Sequence, residues 1–294
     1  MTNPFSRISC VKVAVNEPLA SHTSFHIGGK ARFFVSVYSS EALSRVLRII
    51  REQDLPYFLI GAGTNILAAD SGFPGVVLKL GGVFKRIAHR DSVLCCGGAV
   101  LVNDFLNESL NMGYGGAEFL AGIPGTMGGA VKGNAGAFGN SMADITDSAV
   151  VVDENGEKNI LSRAELGLAY RQSNVENGSV ITSVNLMMKK ANRRSIQKKI
   201  ARNLNLRKVR HPAGYSAGSF FKNPPGHAAG KLIETCGLKG ASVGGAVVSE
   251  KHGNYIINSG KARAADVIAL AEHIKKTVRK KTGVQLEEEV RLLG

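Results

Sequence analysis

Three polar residues stand in settings where they could do chemistry. Ser219 lies in the run Ala217-Gly218-Ser219-Phe220-Phe221-Lys222-Asn223-Pro224. The run lacks a Gly-x-Ser-x-Gly elbow, the sharp turn that presents a serine nucleophile. Chemistry at Ser219 would therefore be proton donation rather than covalent attack. Arg171 follows Tyr170 in Tyr170-Arg171-Gln172-Ser173, and Glu289 closes the acidic run Glu287-Glu288-Glu289 at the start of an apolar strand. Each also has a plainer reading: a turn serine, a surface arginine, a solvated acid.

Two glycine-rich motifs offer a place for a ligand. Gly61-Ala62-Gly63-Thr64-Asn65 follows a strand. It is not a Rossmann fingerprint, because Ile66 breaks G-x-G-x-x-G, no helical pattern opens after it, and the acidic residue about 20 positions on is missing. Its two glycines would let the backbone approach a ligand, and Thr64 and Asn65 can donate to phosphate; a tight turn is the alternative. The second motif is denser, with ten glycines among the 27 residues from Gly113 to Gly139, where average usage would give about two. It contains Gly122-Ile123-Pro124-Gly125-Thr126-Met127-Gly128-Gly129-Ala130 and Gly133-Asn134-Ala135-Gly136. Backbone amides wrapped against a large anionic or flat ligand would account for that density, and an irregular loop is the alternative. Ile123, Met127, Val131 and Phe138 are expected to anchor the segment in a core. Gly226-His227-Ala228-Ala229-Gly230-Lys231-Leu232 is not a Walker A loop: it is one residue short between its glycines, and Leu232 stands where Ser or Thr must meet Mg²⁺. Lys231 and His227 are phosphate contacts, or else the segment is a helix start with an exposed lysine.

The elements that must position these residues follow from periodicity. Leu43, Val46, Leu47 and Ile50 make one face of a helix over 41–53, followed by a strand at Tyr57–Ile60 running into Gly61. Val76–Leu80, Val93–Cys96 and Val180–Met188 read as strands, and 101–112 as a helix stopped at Gly113. Val150-Val151-Val152 followed by Asn155-Gly156 signals a hairpin. Ile196, Ile200 and Leu204 make an amphipathic helix after Lys189, and the turn at His211-Pro212 links it to a second unit over 213–294. That unit ends with a helix bearing Val267, Leu270, Ala271, Ile274 and Val278, capped at Gly283, and a strand over Glu289–Leu293. Helices and strands mix without regular alternation, so the class is α+β.

The 294 residues are 44% hydrophobic and 20% charged, as in a soluble globular protein. No apolar run approaches the ~20 residues that span a bilayer, and Met1–Val15 has no secretory signal pattern, so a cytoplasmic location is expected. Cys10, Cys95, Cys96 and Cys236 form no C-x-x-C pair and are expected to be reduced and mostly packed, without a structural metal. The net charge of +14 is concentrated: ten Lys/Arg and no acid in Lys189–Pro212, five more in Lys275–Lys281, and the rest nearly neutral. These basic faces are solvated surface or, alternatively, a nucleic-acid site; the aromatic interleaving of single-strand binders is absent. A basic protein that binds phosphate-bearing small molecules has the same balance.

Together the segments resemble the flavin-dependent UDP-N-acetylenolpyruvoylglucosamine reductase (MurB) family, in its shorter variant. The resemblance runs from Thr23-Ser24-Phe25-His26-Ile27-Gly28-Gly29 to Glu289-Val290-Arg291-Leu292-Leu293-Gly294, through both glycine motifs, Tyr170-Arg171-x-Ser173 and Gly218-Ser219-Phe220-Phe221-Lys222-Asn223-Pro224-Pro225-Gly226-His227. It implies an FAD-binding region of the vanillyl-alcohol-oxidase (PCMH) type, made of two α+β subdomains (1–82 and 83–190), and a linker helix with a C-terminal α+β substrate domain (191–294). It implies non-covalent FAD at Gly61, Ala62, Gly63, Thr64, Asn65, Gly122, Ile123, Pro124, Gly125, Thr126, Gly128, Gly129, Asn134 and Ala135, with NADPH as reductant. The UDP-sugar substrate would meet Tyr170, Lys222, Asn223, His227 and Lys231. In such a reduction hydride reaches C3 of the enolpyruvyl ether, and charge builds at C2 and on its carboxylate. The resemblance assigns stabilisation of that charge to Arg171 and to Glu289 holding or sharing a proton, and delivery of the proton at C2 to Ser219. A monomer with no nucleic-acid or membrane partner is expected. His26 stands where the family commonly has Arg or Lys, Thr64 where it has Ser, and Phe138 where it has Tyr. Another FAD oxidoreductase on the same fold, or a basic RNA-binding protein centred on 189–211, are the rival functions.

Overall fold

A computed structural model describes residues 3–90 and 93–294. The chain divides into two compact units that are not contiguous in sequence: one of residues 1–15, 33–61 and 75–207, the other of 16–32, 62–74 and 208–294.

The first unit is built on two larger sheets, with two two-stranded pairs beside them among the described residues. In one, the strands are ordered Val11–Pro18, Lys30–Val37, Phe73–Leu80 and Tyr57–Ile60. The last two run parallel, with Ile60 opposite Lys79. The expected helix runs over Ser40–Glu52, where the Ser39 hydroxyl accepts the Ala42 N–H at 3.2 Å. Such a cap contributes about 1 kcal/mol. Leu43, Val46, Leu47 and Ile50 are buried, in one core with Phe5, Phe33, Val35, Val76 and Leu78. The other sheet is antiparallel throughout, in the order Lys158–Ser162, Thr146–Val152, Val180–Met187, Val93–Gly97 and Ile87–Arg90. Its hairpin turns where the Asn-Gly pair places it: Asp153 Oδ1 accepts the N–H of Asn155 and of Glu157, both at 2.9 Å, and Gly156 takes φ +77°. Ser44 on the first helix donates to the Gly156 carbonyl at 2.8 Å and so ties that turn to the first sheet. The helix Val102–Met112 ends at Gly113, left-handed at φ +71°. It shares a core with the short helix Met127–Lys132 and the five-stranded sheet, through Phe105, Met127, Val131, Val184 and Leu186.

The expected anchors of the glycine-rich segment divide. Met127 and Val131 are buried and Ile123 packs against the same core, but Phe138 is 43% exposed. The cause is local: Phe138 (φ +54°) and Gly139 (φ +82°) form the tip of a hairpin in which Ala137 pairs with Asn140, and the ring lies under the Arg207 guanidinium, 5.6 Å from its centroid. The basic helix is Arg193–Arg210. Its apolar stripe is weaker than its spacing implies, with Ile196 buried, Ile200 packed on the core and Leu204 44% exposed.

The second unit has a three-stranded antiparallel sheet, Ser242–Val243, Ala246–Val248 and Ile256–Asn258. It carries the helices Ala229–Thr235 and Ala264–Thr282. Val267, Leu270, Ala271, Ile274 and Val278 are buried together with Phe220, Phe221 and Leu67, and Gly283 closes the last helix at φ +74°. The C-terminal strand is Arg291–Leu293, shorter than its apolar run, and it pairs in parallel with Ile66–Ala68 just after the first glycine motif. All four thiols are free; Cys10 is exposed, and burial pushes the Cys96 thiol up. Among the described residues no helix is long and apolar enough to cross a membrane.

Candidate active site

Ser219 and Glu289 are brought together in the second unit, 70 residues apart in sequence. The stretch Phe220–Lys222 is extended and paired on both edges. On one edge the Glu289 N–H donates to the Phe220 carbonyl and the Lys222 N–H to the Glu287 carbonyl, both at 2.8 Å, with Phe221 bridged to Glu288. On the other, the Phe220 N–H donates to the Asn254 carbonyl at 2.8 Å, and Ser219 is bridged to Tyr255. Burial of Phe220 (2%) and Phe221 (1%) holds this stretch in the core and leaves Ser219 half-buried at its end. The Ser219 hydroxyl makes no hydrogen bond to any described residue. The acidic run is sorted by its partners. Glu287 Oε1 lies 2.5 Å from Lys222 Nζ, and Glu288 Oε1 lies 2.8 Å from Lys275 Nζ, which also reaches Glu272 at 2.9 Å. Those hydrogen bonds raise the Lys275 pKa above its ordinary value.

The first glycine motif is built into the same arrangement. Asn65 gives its Nδ2 to the Glu289 carbonyl at 3.0 Å and accepts the Arg291 N–H at 3.1 Å. Its side chain, expected to meet phosphate, thus fixes the backbone at Glu289. Glycine at 63 is required by the protein itself: φ is +68°, and a Cβ there would lie 1.9 Å from the His22 carbonyl oxygen. Gly61 is likewise closed in, with a Cβ meeting Thr126 Oγ1 at 2.7 Å. The N–H groups of Ala62, Gly63 and Asn65 donate to no acceptor among the described residues, although Gly63 is buried. Buried amides are otherwise almost always paired, so the open amide of Gly63 suits an acceptor that is not part of the described chain.

In the second motif most amides are already used. Met127 N–H goes to the Val100 carbonyl, Gly128 N–H to Gly98 and Ile123 N–H to Leu120, at 2.8–2.9 Å. Gly129 N–H goes to the capping Thr126 hydroxyl at 3.3 Å. The N–H groups of Gly122 and Gly125, at φ +76° and +142°, have no acceptor among the described residues. Ala135 is tied by both its N–H (to Ala130, 2.7 Å) and its carbonyl (from Met142, 3.0 Å).

Arg171 belongs to the first unit. It sits with Tyr170 at the tip of a two-residue turn closed by reciprocal 3.1 Å bonds between Ala169 and Gln172. Its φ is +56°, and its guanidinium lies 5.5 Å from the Tyr170 ring centroid. Asn134, 6% exposed, spans two segments: Nδ2 donates to the Ala169 carbonyl at 2.9 Å, and Oδ1 accepts the Ala143 N–H at 2.9 Å. Ser173 adds a 2.8 Å bond to the Lys132 carbonyl. Of the other expected contacts, Asn223 Oδ1 accepts the Ala229 N–H at 2.9 Å, tying it to the helix start, while Tyr170, His227 and Lys231 are exposed. Asn254, whose side chain also grips Phe221, had no signal in the sequence beyond lying before the apolar run Tyr255-Ile256-Ile257.

The fold defines a class: a flavoprotein with an FAD-binding domain that is not of the Rossmann type. Residues 31–161 match the family described as FAD binding domain, and residues 210–293 match UDP-N-acetylenolpyruvoylglucosamine reductase, C-terminal domain. The chain belongs to the UDP-N-acetylenolpyruvoylglucosamine reductase family. It is 41% identical to the reductase 2 of Symbiobacterium thermophilum over 95% of this chain and 91% of that one. It is also 41% identical to the reductase of Caldanaerobacter subterraneus subsp. tengcongensis, over 96% and 94%. The crystal structure of the enzyme from Thermus caldophilus (MurB) superposes with a TM-score of 0.84 at 35% identity, covering 97% of this chain and 99% of that one. Berberine bridge enzyme from Eschscholzia californica shares the fold alone, with a TM-score of 0.52 at 17% identity over 65% of this chain and 43% of its own.

Proposed function

We propose that this protein reduces the enolpyruvyl ether of UDP-N-acetylglucosamine to give UDP-N-acetylmuramate, a step in building peptidoglycan precursors, with non-covalent FAD and with NADPH as reductant. The reading is carried by the pairing of the Ser219 segment with Glu289 inside a chain that is similar from end to end to enzymes of that name. Bound FAD supplies the passage of hydride from NADPH to the substrate double bond. The open amides of Ala62, Gly63, Asn65, Gly122 and Gly125 suit its diphosphate and ring oxygens. Thr64, Ile123, Pro124, Thr126, Gly128, Gly129, Asn134 and Ala135 shape the same loops.

The chain's own residues handle charge and a proton. As hydride adds at C3, negative charge develops at C2 and spreads onto the carboxylate. Arg171 and Glu289 stabilise it, and they do so without reorganising because turn and ladder hold their backbones beforehand. Ser219 then gives its hydroxyl proton to C2. A high hydroxyl pKa is no obstacle, because the acceptor is a strongly basic carbon. Tyr170, Lys222, Asn223, His227 and Lys231 hold the UDP sugar. By role, the chain divides into FAD-binding portions at 1–82 and 83–190 and a substrate-binding portion at 191–294. Its place is the cytoplasm, where it serves cell-wall growth, cell shape and division, as a monomer without nucleic-acid or membrane partners.

The test is the visible spectrum and a turnover assay. The purified protein should carry a flavin spectrum or acquire one with added FAD, and should oxidise NADPH in repeated turnover only when the enolpyruvyl UDP sugar is present. A colourless protein that FAD does not reconstitute refutes the proposal.

A further inference from the structure

Asn254 is 4% exposed and uses every polar atom it has. Its carbonyl accepts the Phe220 N–H at 2.8 Å. Its Oδ1 accepts the Phe221 N–H at 2.9 Å, and its Nδ2 donates to the Phe221 carbonyl at 2.8 Å. Its own N–H donates to His252 Nδ1 at 3.1 Å. The two side-chain bonds form a closed ring with the N–H and the carbonyl of one residue, Phe221, the exchange that a facing residue makes in an antiparallel ladder. A single carboxamide therefore adds one rung to the pairing of Phe220–Lys222. The ring needs a donor and an acceptor on one planar group, fixed one methylene from the backbone. Aspartate offers two acceptors and would turn one of them on the Phe221 carbonyl; leucine or alanine would leave a buried N–H and C=O unpaired.

We infer that Asn254 is the positioning residue for proton delivery, setting Ser219 and Glu289 in register through the peptide groups of Phe220 and Phe221. The inference rests on the reading of Ser219 and Glu289 given above. Two features make the clamp act on the reaction rather than on stability alone. The far edge of the clamped stretch carries Glu289, through the 2.8 Å bond from its N–H to the Phe220 carbonyl, so one displacement moves both groups. The Ser219 hydroxyl has no protein partner among the described residues, so its place is set by the backbone that Asn254 holds. A misplacement near 1 Å at a reacting group costs about 100-fold in rate.

The experiment measures N254D, the milder N254S, S219A and the double variant S219A/N254D as FAD-loaded enzymes. In N254D, or in N254S if N254D does not hold FAD, reduction by NADPH should stay within about twofold of wild type. Reoxidation by the enolpyruvyl substrate should slow about 100-fold, with KM for that substrate changing only a few-fold. The double variant should fall below S219A by clearly less than N254D falls below wild type, because the share of the Asn254 effect that passes through Ser219 is already lost and only the share through Glu289 remains. Amide hydrogen exchange at Phe221 and Glu289 should rise while exchange in the helix Ala264–Thr282 holds. Loss of FAD from both Asn254 variants, equal slowing of both half-reactions, or fully additive losses in the double variant would overturn the inference and make Asn254 structural. If S219A itself reoxidises at the wild-type rate, the reading of Ser219 fails instead, whatever Asn254 does.

Discussion

Removing one oxygen at Ser219 separates chemistry from structure more cleanly than any other change in this protein. The Ser219 hydroxyl bonds to no described residue, and the segment is held by the backbone bridge to Tyr255 and by the pairing of Phe220 with Asn254 and Glu289. Ser219→Ala deletes none of these and empties no core volume, since the side chain is half-buried at the end of the paired stretch. Its effect on folding should lie within about 0.5 kcal/mol, or about 1–2 °C in Tm for a chain of this size. A positioned proton donor contributes about 100- to 10,000-fold to the step it serves, equivalent to about 3–5 kcal/mol. Rapid mixing should therefore show flavin reduction by NADPH nearly unchanged and reoxidation by the enolpyruvyl UDP sugar slowed by that factor. Equal losses in the two half-reactions, or a Tm lower by several degrees, would refute the argument, because Ser219 would then be supporting the fold or binding generally.

Gly63→Ala forces a side chain into left-handed φ and against the His22 carbonyl, so thermal unfolding should show a loss of about 2–4 kcal/mol, together with a lower FAD content in the purified protein; wild-type values of both would count against the motif. Thr126→Val removes the cap on Met127–Lys132 and should cost about 1 kcal/mol by urea unfolding, with Thr126→Ser close to wild type; equal stability of all three would show that the cap is idle. Burial lowers the His252 pKa from its ordinary 6.5, partly opposed by Glu234. The neutral ring also accepts the Asn254 N–H, while His211 lies near it at 5.8 Å. Because the unfolded chain binds that proton more readily, stability is full above about pH 6.5 and falls as pH drops through the lowered value; the loss between pH 7.5 and 5 should be smaller in His252→Gln, and an unchanged difference would rule out this source.

Much of the fold is legible in local pattern. The helix Ser40–Glu52, the strand Tyr57–Ile60, the Asp153–Glu157 turn and the glycine stops at 113 and 283 are all where spacing, capping and turn chemistry put them, because those signals act over a few residues. The glycine motifs are legible as special positions, and the packing of the chain against itself adds a reason that composition does not show. Gly63 is glycine because the His22 backbone passes it, and Asn65 spends its amide on the Glu289 carbonyl. The exposed Phe138 likewise answers to a hairpin tip rather than to its hydrophobicity.

By itself the sequence determined the α+β class, the rejection of a Rossmann site, and the order of motifs that carries the family resemblance, since each is a matter of residue type and near spacing. Only the tertiary structure decided that residues 16–32 and 62–74 pack with the C-terminal part of the chain, that Ser219 and Glu289 lie on one paired stretch, and that Asn254 joins them. Those outcomes depend on hydrogen bonds between residues tens to hundreds of positions apart. A lone asparagine before an apolar run carries no periodicity to announce them, and its role exists only once the core around Phe220 and Phe221 has closed.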